Sequence, residues 1–334
     1  MIDAGSEGEV RLPLALTIGD PAGIGPELAM KAWLLRAALP RAFFVLADPG
    51  HLHGLAAKLG WRVPIAEVTP DAAPDAFARA LPVVPLQHRF NGTSADAAGV
   101  IEAISRAVEL VHQGAATGVV TNPIAKDRLY AHGFAFPGHT EFLGDLANKS
   151  WGGVHLPVMM IWSPILAVVP LTIHVPLKDV PELLTKDLIV KTARIVARDL
   201  KSRFGVARPR LAISGLNPHA GEGGNMGVEE ITTMMPAIAQ LQAEGLDVRG
   251  PLPADTMFHA AARARYDVAL CMYHDQALIP AKTLAFDDGV NTTLGLPFVR
   301  TSPDHGTAFD IAGQGVANPS SLMAALALAA RLAS

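Results

Sequence analysis

Leu12-Pro13-Leu14-Ala15-Leu16-Thr17-Ile18-Gly19-Asp20-Pro21-Ala22-Gly23-Ile24-Gly25-Pro26-Glu27 starts as an apolar run and breaks into a turn rich in glycine and proline. The run, 12–18, has strand length. Residues 27–35 behind the turn carry apolar side chains at helical spacing. Strand, tight turn and helix make the opening of an α/β unit. The same alternation continues outward from this stretch. Strands are predicted at 43–47, 118–121, 158–162, 166–173, 211–216 and 268–272. Helices are predicted at 95–112, 180–204 (ending at Gly205), 229–243 and 320–332, the last opened by Asn318-Pro319-Ser320. Alternating strands and helices predict an α/β fold with largely parallel strands. No composition break separates two sequential domains, so a discontinuous arrangement fits equally well.

Half of the 334 residues are hydrophobic and 17% are charged, enough for a large core and against disorder. The net charge is −4, with both signs interspersed. No basic stripe points to nucleic acid and no polybasic run to a membrane surface. The most apolar stretch, 322–333, is too short to cross a bilayer. Residues 1–10 carry Asp3, Glu7 and Glu9 and no apolar run, so they read as a flexible tail and not a secretory signal. A lone cysteine, Cys271, fits a reducing compartment, and a cytoplasmic protein is expected.

Three of the 12 histidines share a setting. His174 closes the strand-like 166–173. His219 follows 211–216 in Asn217-Pro218-His219-Ala220, and His274 follows 268–272 in Tyr273-His274-Asp275-Gln276. Sites in open α/β sheets gather beyond the carboxyl ends of strands. Imidazole is a favoured ligand of zinc and related divalent ions, and three neutral ligands leave a position open for substrate. Hydrogen-bonded loop histidines are the competing reading. The three lie far apart in sequence, unlike the compact zinc motifs, so only the fold could bring them together.

Two glycine-rich loops follow predicted strands. The turn 19–27 is either an anion site at a helix start or a tight turn with proline opening the helix. It is neither G-x-G-x-x-G nor a P-loop. Gly221-Glu222-Gly223-Gly224-Asn225-Met226-Gly227 sits behind His219 and reads as a flexible loop of a site. Pro137-Gly138-His139-Thr140-Glu141 sets an imidazole and a hydroxyl at a helix start, for an anion or simply for an N-cap. Lys282, Asn291 and Arg300 interrupt an apolar segment, and Arg300 would pair with a phosphate, a carboxylate or an internal acid.

Residues 19–27, Gly138-His139-Thr140-Glu141-Phe142, 216–224, 250–256, Tyr273-His274-Asp275-Gln276 and 289–302 together resemble the 4-hydroxythreonine-4-phosphate dehydrogenase family. The likeness runs in order from about Leu14 to the C-terminus. It departs locally at Phe286-Asp287-Asp288, an unexpectedly acidic turn that touches no assigned residue. The resemblance implies an isocitrate/isopropylmalate dehydrogenase-like α/β/α fold with two subdomains around a central cleft. These would be 11–135 plus 289–334 on the cofactor side and 136–288 on the metal and dimer side. It implies NAD or NADP as cofactor and one divalent metal per subunit, zinc, magnesium or cobalt. The metal would be held by His174, His219 and His274, drawn from both chains of a homodimer with active sites at the interface. Substrate contacts would fall on His139, Thr140, Lys282, Asn291 and Arg300. Asp255 and Asp275 are candidates for the proton acceptor, for the partner of the substrate amine, or for orienting a metal-bound imidazole.

The implied reaction belongs to pyridoxal 5'-phosphate (vitamin B6) synthesis. 4-Phosphooxy-L-threonine is oxidised to 2-amino-3-oxo-4-(phosphooxy)butanoate, which decarboxylates to 3-amino-2-oxopropyl phosphate. Residues 304–319 also resemble the cofactor loop of isocitrate and isopropylmalate dehydrogenases, which implies cofactor contacts at His305, Gly306, Thr307 and Asn318. Three other functions compete. One is a sibling dehydrogenase of 4-phospho-threonate or 4-phospho-erythronate. The second is a metallohydrolase built on the same histidines, against which the loop 304–319 speaks. The third is a metabolite-binding protein without catalysis.

Overall fold

A computed structural model describes residues 12–92 and 96–334. The expected tail at 1–10 and the expected first helical residue Ala95 lie outside the described residues. The strands come in chain order as β1 (Leu14–Thr17), β2 (Phe43–Ala47), β3 (Ile65–Glu67), β4 (Leu81–Pro85) and β5 (Gly118–Thr121). There follow β6 (Val158–Ser163), β7 (Leu166–Thr172), β8 (Arg210–Ser214), β9 (Asp247–Leu252), β10 (Val268–Tyr273) and β11 (Val290–Leu294). The last strand is β12 (Val299–Pro303).

The chain forms two compact units. One takes the sequence up to Val154 together with Pro297–Ser334, and the other is His155–Leu296. The sequence-based boundaries were 135/136 and 288/289; the units divide at 154/155 and 296/297. Helix His139–Trp151 therefore packs with the first unit.

In the first unit the strands run β3-β4-β2-β1-β5-β12, each pair parallel. Every residue of β1 and β2 is buried, as in a parallel strand covered on both faces. Gly19 takes φ +76, and a Cβ on it would stand 2.5 Å from the Pro123 carbonyl. Only glycine fits both that conformation and that approach. Pro26 then starts helix Gly25–Leu34, where a missing N–H costs nothing.

In the second unit the order is β11-β6-β7-β10-β8-β9. Strands β7, β10, β8 and β9 are parallel neighbours. The sheet is largely parallel as expected, and the antiparallel pairings are those of β6 with β11 and with β7. The physical reason lies between Ser163 and Leu166. Two residues suffice for a hairpin, whereas a parallel return needs a crossover. Val268, Leu270 and Met272 of β10 join one buried cluster, while Ala269 and Cys271 join another, so the strand is covered on both faces.

The predicted helix at 180–204 is two helices, Val180–Leu183 and Lys186–Ser202. Thr185 lies between them in extended conformation, and its side chain accepts from Leu188 N at 3.1 Å. That is an N-cap that ends one helix path and starts the next. The predicted helix at 229–243 begins as a π-helical turn, Glu230–Met234, before helix Met235–Ala243. Among the described residues no helix is long and apolar enough to cross a membrane.

Candidate active site

Each unit carries part of the expected site. In the second unit the three histidines follow β7, β8 and β10, and the sheet order is β7-β10-β8. His174, His274 and His219 thus leave the carboxyl ends of three adjacent parallel strands, where open sheets build their sites. The His174 and His274 rings lie 5.6 Å apart, centre to centre. Two imidazoles on one tetrahedral ion, with N–metal bonds of about 2.0 Å, would place their centres about 5 Å apart. The pair therefore fits a shared cation. His219 is exposed, and among the described residues no three His, Cys, Asp or Glu side chains are grouped to hold a metal.

The backbone beneath the histidines is specialised. His174 has φ +54. Residues 219–223 are all left-handed, with φ of 52, 52, 77, 43 and 67. For non-glycine residues this conformation costs about 1–2 kcal/mol each, and such strain concentrates at functional sites. Buried Glu230 holds the turn. Its carboxylate accepts from Asn217 N at 2.8 Å and Asn217 Nδ2 at 3.0 Å. A Cβ on Gly221 would come within 2.6 Å of the same carboxylate, so that position admits only glycine.

Gln276 ties the strand ends together. Its Oε1 accepts from Met272 N at 2.7 Å and from Ser214 Oγ at 2.7 Å, and its Nε2 donates to Gly215 O at 2.8 Å. Thr172 Oγ1 donates to Met272 O at 2.8 Å. These bonds fix the exits of β7, β8 and β10 relative to one another. Asp275 Oδ1 lies 2.7 Å from His274 Nδ1. A carboxylate on Nδ1 leaves Nε2 as the coordinating atom. Asp255 is exposed in the short turn Ala254–Thr256. Lys282 closes helix His274–Leu284, with Nζ 5.9 Å from the centre of the Phe286 ring. Asn291 lies on β11 with its Oδ1 buried and without a hydrogen-bond partner.

In the first unit the expected contacts His139, Thr140 and Arg300 are joined by one residue that sequence reasoning missed, Lys126. Arg300 is the second residue of β12 and is buried; its Nη2 donates to Thr121 Oγ1 at 2.6 Å. Burial brings its pKa down to about 10, so it stays charged at neutral pH. His139 is the first residue of helix His139–Trp151, and its Nε2 is buried without a partner. Burial first, then the charges of Arg300 and Lys126, hold this imidazole well below its ordinary pKa. The Lys126 ammonium lies 3.5 Å from where a Cβ on Gly138 would be, as does Glu141 Oε2. Gly138 is the N-cap and Thr140 the second helical residue, which removes the N-cap reading of Thr140. Two cations, a neutral imidazole and a helix start can together receive an anion. Lys126 lies behind the carboxyl end of β5, the same signal that singled out the histidines.

The loop 304–319 is also in the first unit. His305 Nδ1 lies 3.0 Å from Gly306 O, and its Nε2 is buried without a partner. No atom stands within 4 Å of a Cβ built on Gly306, so the backbone there is open to a ligand. Thr307 O accepts from Ile24 N at 3.0 Å. Asn318 Oδ1 accepts from Ser320 N at 3.0 Å and thereby starts the last helix. Cys271 takes no part, since burial pushes its thiol up to about 12.

A family model described as "Pyridoxal phosphate biosynthetic protein PdxA" matches residues 40–329. The chain belongs to the PdxA family. A PdxA relative from Methylorubrum populi, named 4-hydroxythreonine-4-phosphate dehydrogenase, is 62% identical over 330 residues, covering 96% of this chain and 94% of the relative. A crystal structure of the Klebsiella pneumoniae 4-hydroxythreonine-4-phosphate dehydrogenase has TM-score 0.81 at 34% identity, covering 96% and 99% of the two chains. The Burkholderia phymatum enzyme of the same name has TM-score 0.79 at 35% identity, covering 97% and 99%. The PdxA architecture is the isocitrate/isopropylmalate dehydrogenase-like α/β fold expected from the sequence, and it extends to a terephthalate 1,2-cis-dihydrodiol dehydrogenase from Burkholderia xenovorans at TM-score 0.64 and 26% identity.

Proposed function

We propose that the chain oxidises 4-phosphooxy-L-threonine at C3 with NAD+ or NADP+, in vitamin B6 synthesis, using one divalent metal per subunit. The products are the reduced cofactor, a proton and 2-amino-3-oxo-4-(phosphooxy)butanoate, a β-keto acid that loses CO2 to give 3-amino-2-oxopropyl phosphate. A bound divalent ion supplies Lewis acidity at the C3 hydroxyl, and the nicotinamide accepts the hydride. His174, His219 and His274 would hold the ion, with Asp275 keeping the His274 ring turned for ligation. Arg300, Lys126 and His139 would bind the anionic end of the substrate, with Thr140, Lys282 and Asn291 as further contacts. Such fixing of the reactant supplies much of the rate gain in reactions of this kind.

The observation that carries this reading is the exit of three histidines from adjacent parallel strands, two of them 5.6 Å apart. Exposed apolar side chains occur in the segments that follow all three: Val175 and Leu177 after His174, Met226 and Val228 after His219, and Ile279 and Phe286 on and beyond the helix that His274 opens. We read these residues as the rim of an interface, which fits a homodimer with the site at the contact. A buried, unpaired cysteine and the absence of a spanning helix among the described residues fit a cytoplasmic enzyme. The sugar-acid alternative is not favoured, since relatives up to 62% identical carry the 4-hydroxythreonine-4-phosphate name.

The test is absorbance at 340 nm with 4-phosphooxy-L-threonine, run with each cofactor, with and without chelator. Reduction that chelator abolishes and added metal restores is expected. Faster turnover of 4-phospho-threonate or 4-phospho-erythronate would move the assignment to the sibling enzyme. Phosphate release without cofactor would make it a hydrolase.

A further inference from the structure

The turn 19–27 and the helix behind it have no part in the reaction as drawn, yet they contain a carboxylate with no solvent exposure at all, Glu27. Its two oxygens face the loop 304–319. Oε1 accepts from Ala317 N at 3.0 Å and Oε2 from Gly315 N at 3.2 Å. One helical turn on, Lys31 Nζ lies 3.3 Å from Glu27 Oε1 and donates to Gly315 O at 2.9 Å and Ala317 O at 2.5 Å. A single i,i+4 ion pair thus satisfies the N–H and the C=O of both residues. The pair does for this irregular segment what a neighbouring strand does for a sheet edge.

The same stretch grips the loop twice more. Ile24 N donates to Thr307 O at 3.0 Å. Buried Asp20 pairs with Arg128 at 3.2 Å, and the Arg128 guanidinium lies 4.6 Å from the Phe309 ring centre. The loop has little regular structure of its own, with left-handed backbone at Ala308, Gly313 and Gly315. An ion pair removed from water costs desolvation, and a well-packed apolar pair would often be as stable. What apolar side chains cannot do is fix the register of a backbone.

We propose that Glu27 and Lys31 are positioning residues for the nicotinamide cofactor, which hold the backbone at 315–317 and thereby keep the loop 304–319 in its cofactor-binding shape. The inference rests on reading 304–319 as the cofactor loop, and its test separates the two. The variants are Lys31→Met, Lys31→Arg and Glu27→Gln, with His305→Ala as a loop variant that leaves the clamp intact. Two measurements need no turnover: amide hydrogen exchange across 313–319, and NADH and NADPH dissociation constants from nicotinamide fluorescence. Circular dichroism identifies variants that fail to fold, and Lys31→Met, at a partly solvated side chain, stands in if Glu27→Gln does. If the clamp keeps the loop competent and its loss leaves one tenth of molecules competent, affinity falls about tenfold.

Lys31→Met should therefore speed exchange at 313–319, weaken NADH about tenfold and leave KM for the phosphorylated substrate within twofold. Lys31→Arg should restore both exchange and affinity. Unchanged exchange in Lys31→Met overturns the clamp. Faster exchange with unchanged NADH affinity overturns the positioning role, provided His305→Ala weakens NADH. If His305→Ala also leaves NADH untouched, the cofactor-loop reading fails, and the proposal with it.

Discussion

At the scale of single residues, the chemistry turns on groups whose charge is set by their surroundings. His139 is held neutral by burial and by Arg300 and Lys126. The sign of the pH effect follows. In the unfolded chain His139 takes up a proton near its ordinary pKa of about 6.5, and in the folded chain it does so only well below. The unfolded state then binds more protons as pH falls, so stability drops on acidification and is fully present above about 6.5. One such proton changes stability by about 1.4 kcal/mol per pH unit. Half-buried His51, also held below its ordinary value by desolvation, acts in the same direction. His139→Gln should flatten, but not abolish, the fall in denaturation midpoint between pH 6.5 and 5; an unchanged curve would show that His139 protonates freely in the fold. Lys126→Met should raise the His139 pKa, read by NMR, and raise KM for the phosphorylated substrate at least tenfold with less effect on kcat. A charge-assisted hydrogen bond of about 1.5–3 kcal/mol warrants that size. An unmoved KM would take Lys126 out of the anion site. The sequence exposed His139 and Arg300 through their motifs. Lys126 has no motif and only the strand-end position that it shares with the histidines; its place beside His139 shows once the fold sets it at the start of helix His139–Trp151.

At the scale of elements, the strands were legible because buried parallel strands are short unbroken apolar runs, and β2 and β5 match their predicted spans. The breaks were less so. Apolar spacing runs through 180–204 without a gap, and only the Thr185 cap divides it. A polar cap in mid-pattern is a weak signal beside a strong period. The segment 221–227, which overlaps the left-handed turn 219–223, reads in the sequence as a flexible glycine loop, because four glycines in seven residues suggest freedom. Here Glu230 uses that freedom to fix one shape. The roles of Glu230 and Gln276 depend on pairings across the sheet that no local window contains. Gln276→Leu tests the latter. It would strand Met272 N and Gly215 O, and each buried group left unpaired costs about 1–3 kcal/mol. A loss of at least that size in urea unfolding is expected. A variant as stable as the parent would mean that the strand exits of β8 and β10 are fixed by packing alone.

At the scale of the whole molecule, one chain supplies two imidazoles 5.6 Å apart and an exposed third, with exposed apolar side chains in the segments that follow them. Both features are accounted for if a second copy covers the rim and the ligand set is shared across the contact. Metal retention should then follow assembly. Leu177 and Phe286 are 64% and 73% exposed in the single chain, so replacing them disturbs little within it. In a dimer interface each would contribute about 1.5–3 kcal/mol through its apolar surface. A homodimer carries each of them twice, so Leu177→Asp combined with Phe286→Asp should weaken association by about 6–12 kcal/mol, at least four decades in Kd. Buried carboxylates would add to that. The double variant should sediment as a monomer, keep its circular dichroism spectrum, and lose most of its metal at concentrations where the parent retains it. Metal loss without dissociation would make the rim part of the site but not of an interface. A dimer with full metal content would place the contact elsewhere and require all three imidazoles to come from one chain.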